Sequence, residues 1–259
     1  MMYRIVETSR HGCEFFWSAQ GVSSTTVKPT AAESWRMFDR IAPRYDLLNR
    51  LLSFRRDVAW RRAIVCALPP RDSLRVLDLA TGTADVLISL CASPGKIARG
   101  VGLDKSAGMI ARGREKVARE SGASALDLVR GDACGLGFAD ETFDAVTMAF
   151  GIRNVPDVPA ALREIRRVLR PGGRALILEF SLPRNALLRT GYLAYFRHVL
   201  PRVGGMVSGD AQAYRYLNES VESFPYGEKF LALMRDAGFT KTTAMPQSFG
   251  IATLYTGDR

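Results

Sequence analysis

Three aspartates stand at or near the ends of short apolar runs. Asp78 lies within Val76-Leu77-Asp78-Leu79, Asp104 closes Val101-Gly102-Leu103-Asp104, and Asp132 follows the run over 126–130 in Gly131-Asp132-Ala133. Each run reads as a strand buried on both faces, so the acids fall on one edge of a sheet. Between the first two lies the turn Ala80-Thr81-Gly82-Thr83-Ala84-Asp85. Gly82 lets backbone approach a ligand, and the N–H groups opening the next helix can face an anion. An acid about twenty residues past such a turn suits a ribose, because a carboxylate accepts from both sugar hydroxyls. A fourth run, 143–150, leads to Gly151-Ile152-Arg153-Asn154, which places a cation beside the acids.

These residues require an α/β frame. The chain has 259 residues, enough for one large domain with a substantial core. A helix is expected from Ser106 to about Glu120, with Met109 inward, and another carries Val158, Ala161, Leu162, Ile165, Val168 and Leu169 on one face. That second helix is expected to end at Arg170-Pro171-Gly172-Gly173, before a fifth strand over 175–180. Strands separated by helices make a doubly wound, mostly parallel sheet. Before it, Trp35, Phe38, Ile41, Tyr45 and Leu48 form a helical stripe broken by Pro43. A second helix follows, for which Asp57 is an N-cap candidate. This pair, over 31–70, is expected to cover the ligand edge. Residues 181–239 have no strand pattern and read as a helical insertion that carries the aromatic stripe Tyr192, Tyr195 and Phe196. Runs at 240–245 and 251–255 end the chain as a hairpin-like pair. Residues 1–30 have no period and are expected to be a disordered extension, leaving 31–259 as a single domain.

The net charge is +10, from 36 basic and 26 acidic residues, and points to an anionic partner surface. Arginines at 50, 55, 56, 61 and 62, and those at 184, 189, 197 and 202 around the aromatic stripe, are the candidates for it. Four scattered cysteines and two histidines give neither a disulfide framework nor a metal site, so no metal is expected. No stretch is long and apolar enough to span a bilayer, and no secretory h-region opens the chain. The expected location is cytoplasmic, peripheral at the inner face of the membrane, and a homodimer is admitted.

The turn lacks the G-x-G-x-x-G spacing of a dinucleotide site, and a Walker loop is absent. An acid-rich edge suits the cationic adenosyl ligand S-adenosylmethionine better. The order of the 76–85 segment, Asp104, Gly131-Asp132-Ala133, Phe143-Asp144-Ala145-Val146 and Arg167-Val168-Leu169-Arg170-Pro171-Gly172-Gly173 resembles the class I, Rossmann-like S-adenosylmethionine-dependent methyltransferases. More closely, the chain resembles the menaquinone/ubiquinone biosynthesis C-methyltransferases. The residues that carry this are the 38–49 segment FDRIAPRYDLLN, Ala149-Phe150-Gly151-Ile152-Arg153-Asn154-Val155, and Leu178-Glu179-Phe180-Ser181.

The resemblance implies that the turn, with Asp78, Ala80, Gly82 and Thr83, holds the methionyl end of the cofactor. It assigns Asp104 to the ribose hydroxyls and Asp132 with the Ala133 N–H to the adenine, with Lys105, Met109 and Ala149 completing the site. The family has Gly where this chain has Ala84; since Ala84 opens a helix, its methyl group is expected to be tolerated. The implied reaction is methyl transfer to a ring carbon of a prenylated quinol, a naphthoquinol (demethylmenaquinol) before a benzoquinol. Arg153, with Asn154 beside it, is placed to stabilise the quinolate, unless it pairs with an acid such as Asp46 or Glu179. Asp46, Tyr45, Asp210 and Tyr214 are the candidate bases. A nucleic-acid partner is not expected, because the Asn/Asp-Pro-Pro-Tyr/Phe run of exocyclic-amine methyltransferases is absent after the fourth strand. A methyltransferase of another lipid or small molecule, and a non-catalytic binding protein with a decayed turn, remain the alternatives.

Overall fold

The computed structural model describes residues 31–259 apart from 54, 93–94, 121–122 and 203–210, and apart from the side chains of Ala32, Arg44, Leu48, Leu51, Leu52, Ala123, Ala211, Gln212 and Tyr214. The expectation for 1–30 therefore lies outside the described residues, as do Asp210 and the side chain of Tyr214.

Seven strands form one sheet: β1 (Leu74–Leu79), β2 (Ile97–Asp104), β3 (Leu126–Arg130), β4 (Phe143–Ala149), β5 (Leu169–Phe180), β6 (Thr240–Gln247) and β7 (Ala252–Asp258). Their order is β3-β2-β1-β4-β5-β7-β6, and β7 pairs antiparallel with both its neighbours. Strand order reverses between β1 and β4, where Leu79 pairs with Met148 and Asp78 with Thr147. Ligands in open α/β sheets bind beyond the carboxyl ends at this point.

The helices that close the faces are α1 (Ser34–Ile41), α2 (Tyr45–Leu52), α3 (Arg56–Ala67), α4 (Asp85–Cys91), α5 (Ala107–Val117), α6 (Val158–Val168), α7 (Ala186–Ala194), α8 (Ala211–Ser223) and α9 (Glu228–Asp236). On one face Trp60, Ile64, Leu87, Leu90 and Ile110 pack on the sheet; on the other, Leu162, Ile165, Phe230 and Met234. A third cluster joins Met37 of α1 to Phe196, Leu200, Ala213 and Val221. The N-terminal cover and the helical insertion thus pack on each other. A π-helical turn, Tyr195–Val199, continues α7 and shifts its phase, so Phe196 is buried while Val199 is exposed.

Two boundaries differ from the sequence expectation. α6 stops at Val168, and Leu169 to Gly173 already belong to β5. Leu169 is buried and paired with Phe143, which pulls it into the sheet, and the Pro-Gly-Gly stretch becomes a register break before Arg174. Asp57 does not cap α3; Arg55 does, in the left-handed region, and Asp57 sits in the first turn. There its carboxylate still complements the positive helix end, while accepting from Ser53 Oγ at 2.8 Å and pairing with Arg61 at 2.8 Å. Ser106 caps α5 as its position suggested, accepting the Met109 N–H at 3.1 Å.

Candidate active site

The turn after β1 alternates through the left-handed region: φ is +49° at Ala80, +56° at Gly82 and +67° at Ala84. Ala84 therefore does not simply open α4. It is the left-handed residue before it, fully buried, in a conformation that costs an L-residue about 1–2 kcal/mol. Hydrogen bonds hold the turn there: the Ala84 N–H donates to Thr81 O and the Thr81 N–H to Leu103 O. Asp78 lies beneath the turn and not on the cleft. Its carboxylate is buried and accepts the hydroxyls of Thr81 and Thr147, each at 2.6 Å, and burial pushes its carboxyl up to about 7. It ties β1, β4 and the turn together.

Asp104 has the opposite outlook. At the end of β2 its two oxygens accept the Ser106 N–H at 2.8 Å and the Gly82 N–H at 2.9 Å. Burial pushes this carboxyl upward, and those two hydrogen bonds hold it down. It faces a cleft lined also by Ala80, Gly82, Lys105, Met109, Asp132, Ala133 and Ala149, with Leu103, Met148 and Trp35 as apolar walls. Asp132 sits on the rim, accepting Lys105 Nζ at 2.7 Å and the Cys134 N–H at 3.0 Å; despite its desolvation, these donors hold its carboxyl below the usual range.

Thr83 is turned away from the cleft. Its hydroxyl donates to Asp46 of α2 at 2.6 Å, and the other Asp46 oxygen accepts Lys116 Nζ at 2.7 Å. Lys116 also pairs with Asp85, which Arg61 reaches at 3.2 Å. Asp39 of α1 accepts the Ser106 hydroxyl and, at 2.8 Å, the Gly108 N–H. Two carboxylates of the cover thus latch it onto the cofactor-side loops. Asp46 belongs to this latch and lines neither cavity.

Behind the cleft is a second cavity of about 410 Å³, walled by Trp60, Phe150, Phe180, Tyr192, Tyr195 and Phe196 among others. Phe38, Tyr45 and Phe150 line both spaces. The short 3-10 turn Ile152–Asn154 forms part of the partition: Arg153 faces the apolar cavity and Asn154 the cleft. Asn154 Oδ1 accepts the Tyr216 hydroxyl at 3.1 Å, linking α8 to the partition. Arg153 pairs with Glu179, NH1 lying 2.7 Å from Oε1, and also donates to Phe150 O at 2.6 Å; its guanidinium lies 5.2 Å from the Phe180 ring centre. It is therefore both salt-bridged and in the cavity wall. Tyr45 is desolvated, and burial pushes its phenol above the usual range against the pull of Asn49 and Arg153. A phenol so placed stays protonated at neutral pH and is a donor, not a base.

Sequence reasoning did not single out Tyr216, and it read Trp60 only as part of the face of the helix after Asp57; its indole donates to Ser248 Oγ at 2.9 Å. The stripe containing Tyr192 was legible only as an apolar helix face. Its split into buried Phe196 and half-buried Tyr192, both in the cavity wall, needed the packing of α7.

A parallel sheet with a switch-point cleft, a strand-end acid and an adjoining apolar cavity defines a class I S-adenosylmethionine-dependent methyltransferase. The fold agrees: a SAM-dependent methyltransferase from Thermotoga maritima superposes with a TM-score of 0.62 over 86% of this chain and 99% of its own, at 20% identity. One from Aquifex aeolicus gives 0.55 over 76% and 88%, at 16% identity. Residues 25–259 match the model of the ubiE/COQ5 methyltransferase family, and the chain belongs to that family. It is similar to the ubiquinone/menaquinone biosynthesis C-methyltransferase UbiE of Geobacter sulfurreducens, 49% identical over 86% of this chain and 87% of the relative. It is 47% identical to the demethylmenaquinone methyltransferase of Thermus thermophilus, over 86% of this chain and all of the relative. The chain is a C-methyltransferase that uses S-adenosylmethionine as methyl donor.

Proposed function

We propose that this enzyme methylates a ring carbon of a prenylated quinol, demethylmenaquinol in the first place. The observation that carries this reading is the apolar cavity abutting the cofactor cleft through Phe38, Tyr45 and Phe150. Its size and aromatic walls suit a flat, lipid-derived ring, and of the two relatives named above one is a ubiquinone/menaquinone biosynthesis C-methyltransferase and the other a demethylmenaquinone methyltransferase.

The cleft fits the cofactor. A carboxylate offers about four acceptor sites, and Asp104 has committed two, leaving room for a ribose diol. Lys105, Asp132 and Ala133 would border the adenine, Met109 and Ala149 would pack against it, and Ala80 and Gly82 would take the methionyl end. Asp78 and Thr83 would act at one remove, by holding the turn. Bound there, S-adenosylmethionine supplies an electrophilic methyl group. Asp104→Ala is expected to weaken cofactor binding by about 1.5–3 kcal/mol, and to lower the melting temperature because two backbone N–H groups lose their acceptor. Calorimetry showing an unchanged dissociation constant would remove Asp104 from the site.

The ring carbon becomes a nucleophile when its neighbouring hydroxyl loses its proton to water, and once methylated it releases its own hydrogen to water as a proton, which restores the aromatic ring. With a phenol near pKa 10, reaction at pH 7 asks for about three units, or roughly 4 kcal/mol. The Arg153 charge, held in a water-poor wall, favours that ionisation. Tyr45 and Asp46 are poor bases, one protonated and the other already bound by Thr83 and Lys116. Purified enzyme should transfer a labelled methyl group from S-adenosylmethionine to reduced demethylmenaquinone faster than to a demethylated benzoquinol. Transfer to neither quinol would overturn the reading, and preference for the benzoquinol would move the enzyme to the other pathway.

Such a substrate resides in lipid, so the enzyme would meet it at the membrane surface. Among the described residues no helix is long and apolar enough to cross a membrane. Phe249, 80% exposed, and exposed Arg56 both line the cavity, while Leu187, 83% exposed, lies in the first turn of α7 between exposed Arg184 and Arg189. Arg61 drops out of the basic surface, being turned inward onto Asp57 and Asp85, and Arg197 is paired with Glu222. With about 1 kcal/mol for each cation near an anionic surface, the remaining arginines should give co-sedimentation with anionic vesicles at low salt and release near molar salt. Equal binding to neutral vesicles would reduce these arginines to a solvated face.

A further inference from the structure

Three residues lining the apolar cavity carry a buried polar atom with no hydrogen-bond partner among the described residues: Asp57, whose Oδ2 is nonetheless ion-paired with Arg61 at 2.8 Å, and two donors, Nε of Arg153 and the hydroxyl of Tyr192. Buried donors are nearly always satisfied, so an unmet pair in one cavity calls for an explanation. Structure alone does not need the Tyr192 hydroxyl. Its ring packs on Phe196 with centres 4.8 Å apart, a contact phenylalanine would make equally well. Nor is Arg153 short of anchors: NH1 is held by Glu179 and by Phe150 O, and its backbone N–H reaches Glu179 Oε2 at 3.3 Å. That grip fixes the guanidinium plane and leaves the Nε–H edge uncommitted. The two groups are close enough for the Arg153 charge to act on the Tyr192 phenol, whose proton is nonetheless held more tightly than usual by burial. Tyr192 is therefore a donor at neutral pH.

We infer that Tyr192 is a substrate-binding residue, its hydroxyl and the Arg153 Nε–H together receiving the ring oxygen adjacent to the carbon that is methylated. The inference rests on reading this cavity as the quinol site. Two donors converging on one oxygen favour the ionised over the neutral hydroxyl, since an oxyanion accepts both more strongly. Tyr192 then sets which ring fits: one carrying an oxygen at that point leaves neither donor unmet, whereas a bare hydrocarbon leaves both.

The test compares 1-naphthol with naphthalene on the intact protein, wild type and Tyr192→Phe. Both probes fill apolar space, and only one carries the oxygen. In the variant 1-naphthol is expected to bind about tenfold more weakly, equivalent to 1.4 kcal/mol, with naphthalene affinity unchanged. Fluorescence of bound 1-naphthol should show its ionisation moved to higher pH in the variant. Equal losses for both probes would make Tyr192 a packing residue, and no loss for 1-naphthol would remove its hydroxyl from the site. Either result overturns the inference without touching quinol methylation, which the transfer assay reads separately. Conversely, selective 1-naphthol binding in an enzyme that fails to methylate either quinol would uphold the oxygen site and reject the substrate.

Discussion

Arg153→Lys is expected to lower turnover by about 10²-fold while the dissociation constant for S-adenosylmethionine stays near that of wild type. Lysine keeps the charge but not the planar fork. In the wild type one edge of the guanidinium grips Glu179 and Phe150 O, while Nε–H is left without a partner. A single ammonium cannot do both, and its pairing with Glu179, which is fully buried, would draw it away from the substrate oxygen. The loss should therefore appear in kcat more than in cofactor affinity. The partition explains this separation, because Arg153 lies on the apolar side and Asn154 on the cofactor side. A variant that melts much lower yet turns over normally per folded molecule would make the arginine structural.

Glu179→Gln should act on stability first. The carboxylate is 0% exposed, accepts the Arg153 guanidinium at 2.7 Å and the Phe180 N–H at 2.8 Å, and lies against a side chain that is itself only 6% exposed. Removing the negative charge leaves a buried guanidinium uncompensated, which costs about 3–5 kcal/mol. In a domain of this size that corresponds to a fall in melting temperature of roughly 10 °C. The cavity wall should loosen with it, because Arg153 and Phe180 both lean on Glu179. A melting temperature within a degree or two of wild type would show that the pair contributes no net stability.

Backbone strain gathers at the same edge. Besides the turn after β1, Phe150 at the end of β4 has φ +56°, and it adjoins Gly151, where an added Cβ would stand 2.4 Å from the Ala80 Cβ. The chains leaving β1 and β4 therefore pass at near-minimum separation between the two cavities. At Ala80 and Ala84 the chain accepts left-handed alanines where glycine would relieve the backbone, and the Asp78–Thr81–Thr147 hydrogen bonds hold that conformation.

Much of this was readable along the chain. Runs of apolar residues broken by Thr-Gly-Thr, Gly-Asp-Ala and Gly-Ile-Arg-Asn mark strands buried on both faces and the loops at their carboxyl ends, and burial on both faces admits few other assignments. The stripe interrupted by Pro43 forms the cover, Ser106 caps its helix, and the order of motifs carries the family. Orientation was not readable. Asp78 and Asp104 look alike in sequence, yet Asp78 falls inside β1 and points into the protein, while Asp104 ends β2 and points into the cleft. The sign of φ at Ala84 depends on how tightly the turn must double back to reach α4, which composition does not record. The partners of ionised groups depend on distant segments: Thr83 meets Asp46 from 37 positions away, and Arg153 meets Glu179 from 26. The cavity is assembled from Trp60, Phe150, Tyr192, Tyr216 and Phe249, residues on five separate stretches. Local patterning sets which residues are apolar and where chains turn, because those choices act over a few residues. Which acid meets a ligand, and which hydroxyl is left without a partner, follows only when packing brings remote surfaces together and removes the water between them.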